Sequence, residues 1–148
     1  MWRIPLQKKL KQLGLPSGLS NCTLTATQWV DPTNPIMSAA TIFNNPKTGY
    51  VEIDNKDAIP GNLLITKNPE TGSYHTMMIE GFTDSGEPIL RYSNGDHTAD
   101  ALRTNISLSE YHSRDNSQGG NHTEDHYFKY NYPNEVFLPE ITVFAKRG

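Results

Sequence analysis

The chain of 148 residues holds a single cysteine, Cys22, so no internal disulfide can staple its fold. The thiol is therefore either inert core or chemistry. Long apolar runs are also missing, and nothing approaches the roughly 20 residues needed to span a bilayer. The first residues, Met1-Trp2-Arg3-Ile4-Pro5, lack the apolar centre of a signal peptide, so we expect a protein made in the cytoplasm and delivered elsewhere by other means. Positive charge is scarce. The net charge is -3, with the densest basic residues near the two ends, which leaves no broad cationic face and makes nucleic acid an unexpected partner. Carboxylates are scattered, without an aromatic pattern for sugars, so a two-carboxylate glycosidase is unsupported.

What is present fits a single domain over residues 1–148, with a core of about 17–133 and a tail of 134–148 serving as an edge strand or docking segment. Leu6 to Leu13 predicts a short amphipathic helix stopped by Gly14 and Pro16. Ser20 or Asn21 can cap a second helix that begins with Cys22 and ends at Asp31-Pro32. On it Cys22, Ala26, Trp29 and Val30 share one face. Ile36 to Asn44 predicts a third helix. After Pro46 the pattern becomes strands, at Tyr50 to Ile53, Leu63 to Thr66, Tyr74 to Phe82, Pro88 to Ser93 and His126 to Tyr132. Short links between the first four predict an antiparallel meander, and the polar stretch His112 to Asp125 predicts a mobile loop. The expected class is α+β, with N-terminal helices packed on an antiparallel β-sheet.

A catalytic thiol needs its thiolate, which a helix N-terminus and a neighbouring imidazole both favour. Cys22 meets the first condition. Among the five histidines, His75 is best placed for the second, since it opens a strand in which His75, Met77 and Ile79 share a face. A third group should orient the imidazole, and the next strand ends Tyr92-Ser93-Asn94. Asn94 is the expected orienting residue and Ser93 the alternative.

Three segments carry a resemblance. Ser20-Asn21-Cys22-Thr23 at a helix start, Ile59-Pro60-Gly61-Asn62-Leu63-Leu64-Ile65 entering a strand, and Tyr74-His75-Thr76-Met77-Met78-Ile79-Glu80-Gly81 on the next resemble the CHAP and NlpC/P60 group of papain-like cell-wall hydrolases. The likeness covers about Ser20 to Asn94. Asn62 stands where that group commonly has Asp, and Thr76 where Val is commonest. The resemblance implies a papain-like fold of the NlpC/P60-CHAP type and cleavage of an amide bond in bacterial peptidoglycan. It implies Cys22 as nucleophile, His75 as proton carrier and Asn94 as orienter, with the Cys22 backbone N–H as an oxyanion donor and no metal or organic cofactor. The expected partner is peptidoglycan, reached after lysis, injection or virion delivery, as for a bacteriophage lysin, a virion-associated hydrolase or an effector. Two rivals share these residues: a non-catalytic papain-like module with a buried Cys22, and a protein-directed cysteine protease.

His112, His122 and His126 invite a zinc reading. The segment Asn121-His122-Thr123-Glu124-Asp125-His126 lacks both an apolar helix face and the H-E-x-x-H order, so no metal site is expected there.

Overall fold

The computed structural model describes residues 21–94 and 102–132. The expected helix at Leu6 to Leu13, Ser20 as a cap and the 134–148 tail lie outside those residues. The architecture is α+β, a six-stranded antiparallel sheet with helices on both faces.

Helix α1 runs Cys22–Val30. Asn21 caps it, its side-chain oxygen accepting the Leu24 N–H at 3.0 Å, while the side-chain N–H of Asn21 donates to the Met37 carbonyl. Asp31 leaves the helical region, as a residue before proline must. Threonines are weak helix formers, and α1 contains three of them, so packing holds it rather than propensity. Thr23, Thr25 and Thr27 are all buried, as are Leu24 and Ala26. Burying a side chain such as Leu24 contributes about 1.5–3 kcal/mol. Helix α2, expected from Ile36, begins only at Ala39 and runs to Asn44. Ile36 is committed elsewhere, since its N–H donates to Thr27 Oγ1 at 3.0 Å, and Ser38 caps the helix through the Ala40 N–H.

The strands are β1 (Tyr50–Ile53), β2 (Leu63–Lys67), β3 (Tyr74–Phe82), β4 (Pro88–Ser93), β5 (Leu102–Ser107) and β6 (Glu124–Tyr130). Their order is β1-β6-β2-β3-β4-β5. The expected meander holds from β2 to β4 and fails at β1, because β6 inserts between β1 and β2. The expected loop at His112 to Asp125 is also corrected. Its first part, His112 to Ser117, is the end of helix α3, Leu108–Ser117, and Glu124 and Asp125 already belong to β6.

Strand alternation divides the core. Leu63, Ile65, Phe128 and Tyr130 meet α1 and α2 on one face, while Leu64, Met77, Ile79, Leu90, Tyr92 and Tyr127 pack with Tyr111 of α3 on the other. Among the described residues no helix is long and apolar enough to cross a membrane.

Candidate thiol and imidazole site at the start of strand β3

Helix α1 lies over β3 and β4 and brings the expected nucleophile to the strand. Thr23 Oγ1 and Thr76 Oγ1 share a buried hydrogen bond of 2.7 Å, which fixes the first turn of α1 above residue 76. The Thr76 N–H donates to Cys22 Sγ at 3.4 Å. That N–H is free to do so because β4 pairs with β3 only from Met78 to Phe82.

His75 precedes Thr76 and, by alternation, projects to the opposite face, towards α3. Its ring stacks on Tyr111 with centroids 5.4 Å apart and planes 6° apart, and it meets Tyr92 edge-on at 5.0 Å. Nε2 is buried and has no hydrogen-bond partner among the described residues. Burial of the ring lowers its pKa to about 4, and the negative charge of Asp115 pulls the other way. The imidazole is therefore neutral near pH 7. Burial also raises the pKa of the Tyr111 hydroxyl, which shares a hydrogen bond of 3.2 Å with Thr66 Oγ1.

On the α3 side of the sheet lies a cleft of about 180 Å³, lined by His75, Asn94, Tyr111, Asp115 and His122 among others. Cys22 is not one of its lining residues. The structure thus brings His75 and Asn94 to one cleft and sets Cys22 Sγ against the strand backbone one residue away. Asn94 makes no bond to His75 Nε2, and the ring is held by Tyr92 and Tyr111 instead. Ser93, the alternative orienter, is buried on β4, where alternation turns it to the α1 face. The Cys22 backbone N–H, expected to serve an oxyanion, stands at the first position of α1, where no intrahelical partner takes it.

Two of the residues that define this cleft were not expected: Asp115 lies inside the expected loop and Tyr111 just before it. Their helix was signalled by Ser107-Leu108-Ser109-Glu110, a Ser three places before a Glu, and Ser107 Oγ does accept the Glu110 N–H at 3.2 Å.

The histidines considered for zinc are each tied to carboxylates. His112 Nε2 bonds Asp125 at 3.0 Å, His122 Nδ1 bonds Asp115 at 3.0 Å, and His126 Nδ1 bonds Glu52 at 2.8 Å. Among the described residues, no group of three or more His, Cys, Asp or Glu could hold a metal ion.

The fold and this arrangement define an α+β domain with a helix-start thiol on one face of the sheet and a buried imidazole on the other. No protein-family model, curated protein or solved structure matches the chain.

Proposed function

We propose that the protein is a papain-like cysteine hydrolase that cleaves an amide bond of bacterial peptidoglycan. The observation that carries this reading is the Thr76 N–H bond to Cys22 Sγ, which sets the thiol at the N-terminus of α1 against the residue that follows His75. In the proposed reaction Cys22 Sγ attacks the carbonyl and His75 carries the proton to the departing amine. Asn94 stands in the cleft with His75, within its half of the site.

The departures from the CHAP and NlpC/P60 pattern are accommodated. The side-chain oxygen of Asn62 accepts the Ile59 N–H at 2.9 Å, a task that Asp performs equally. Thr76 satisfies its hydroxyl with Thr23.

The rival reading is a non-catalytic module. It is favoured by the neutral, enclosed His75 ring and by the absence of Cys22 from the cleft lining.

The deciding experiment treats purified sacculi of several stem-peptide types with the wild-type protein, Cys22→Ala and His75→Ala, and weighs the fragments released. Release that disappears in both variants supports the thiol hydrolase, and the fragment masses identify the bond. Cleavage of a protein substrate with intact sacculi supports the protein-directed protease. No cleavage of either supports the non-catalytic module.

A further inference from the structure

A second chain of polar contacts stands beside the cleft and does not involve Cys22. Asp115, on α3, has a side chain 12% exposed, and His122, just before β6, one that is 15% exposed. The Asp115 carboxylate accepts the His122 backbone N–H at 2.7 Å and faces His122 Nδ1 at 3.0 and 3.2 Å. A carboxylate only accepts, so Nδ1 carries the proton and the lone pair of the neutral ring is left on Nε2. Nε2 lies 3.0 Å from Ser73 Oγ. In that tautomer the serine hydroxyl donates to the imidazole. Ser73 is exposed and stands two residues before His75, so alternation carries both towards the face on which α3 packs.

We infer that Ser73, His122 and Asp115 form a second nucleophilic site, a serine activated for acyl transfer from small carboxylic esters. Nucleophile, base and orienting carboxylate sit within hydrogen-bond reach of one another in the order that this chemistry requires. Ser73 Oγ attacks the ester carbonyl, a new C–O bond forms, and the Oγ proton passes to His122 Nε2. The original C–O bond breaks, and the departing alkoxide takes that proton and leaves as an alcohol. Water then adds to the acyl-serine, giving a proton to Nε2. The acid departs and Ser73 regains its hydrogen. Arg114 and Gln118 line the cleft with His122 and Asp115. The other face of Asp115 is closed by Gly120, whose Cα leaves no room for a Cβ, since one built there would lie 2.0 Å from Oδ1.

The test is covalent labelling of Cys22→Ala with a fluorophosphonate, so that no thiol competes, followed by peptide mass spectrometry. In this reaction the P–Oγ bond forms, fluoride leaves and the proton goes to His122. Ser85 is the internal control, an exposed serine whose hydroxyl, among the described residues, meets Thr83 Oγ1 at 2.9 Å and no histidine. Labelling of Ser73 about 100-fold faster than Ser85 is expected, the scale of general-base assistance. His122→Gln should remove that advantage while Ser85 labelling stays unchanged. Equal labelling of Ser73 and Ser85 in the folded Cys22→Ala protein overturns the proposal and leaves the network as a brace between the β2–β3 turn and the approach to β6. Because Cys22 is absent throughout, neither outcome bears on the thiol reaction.

Discussion

Tyr111 lies flat against His75, with ring planes 6° apart, while its hydroxyl is anchored on Thr66 of the neighbouring strand. A residue of helix α3 therefore sets the plane of an imidazole on β3. Tyr111→Phe retains the stack and loses only the anchor, whereas Tyr111→Ala frees the ring. If His75 carries the proton in amide cleavage, we expect kcat to stay within a few-fold of wild type in Tyr111→Phe and to fall about 100-fold in Tyr111→Ala, the usual consequence of misplacing a reacting group by an ångström. Steady-state kinetics on a fragment substrate separate this loss in kcat from one in KM.

The same enclosure makes stability depend on pH. The His75 pKa is about 4 in the folded protein against 6.5 as its ordinary value, so between these limits the unfolded chain binds the extra proton. Its contribution is intact above pH 6.5, falls as the pH drops through that window, and declines no further below about 4. The loss across the window is about 3 kcal/mol. Urea unfolding at stepped pH should show this slope in the wild type, and His75→Gln, which cannot titrate, should flatten it.

Asn21 joins both ends of the first helical region. Asn21→Ala removes the cap on Leu24 and the bond to Met37, and should cost about 1–2 kcal/mol in the urea midpoint. Asn21→Asp keeps the cap and should lose less.

Thr27 is a buried junction that accepts the Ile36 N–H and donates towards the Thr23 carbonyl at 2.9 Å. Thr27→Val preserves volume but strands the Ile36 N–H without a partner. A loss of about 1–3 kcal/mol is expected. Thr27→Ser keeps the hydroxyl and should lose only about 1 kcal/mol, for the missing methyl group.

Gly120→Ala drives a methyl group into the Asp115 carboxylate. We expect the carboxylate to move and His122 Nδ1 to lose its partner, at a cost of about 1–3 kcal/mol for overpacking. Ring-nitrogen chemical shifts of His122 should change from those of one fixed tautomer to those of an exchanging pair, while the shifts of His126, held by Glu52, stay as they are.

Much of the first two-thirds of the fold was legible in the chain, for local reasons. Asn21 before Cys22, Asp31 before Pro32, and the alternating apolar runs in β2, β3 and β4 each specify structure through a few neighbouring residues. Legibility ended where tertiary context took over. Strand β5, Leu-Arg-Thr-Asn-Ile-Ser, buries only Ile106 and contains Asn105 at φ +58°, so it offers little alternation to read. Helix α3 has a polar sequence and buries only Tyr111, although its Ser107 and Glu110 cap was visible. The position of β6 depends on a long-range pairing that no local pattern encodes. At the site, the positions of Cys22 and His75 on their elements followed from helix start and strand start, but the rings that clamp His75 come from β4 and α3.

The position of β6 also has a consequence for how the protein is made. Strands β1 and β2 emerge from the ribosome early, yet each pairs with β6, the last of the described strands to be synthesised. Until about residue 130 has left the exit tunnel, β1 lacks its partner among the described strands and β2 lacks the neighbour on one side, with Leu63, Leu64 and Ile65 beside that edge. Exposed edges of this kind invite pairing with other nascent chains. Nonsense truncations before Glu124 should therefore accumulate as aggregates, however complete their copy of the segment from Cys22 to Asn94.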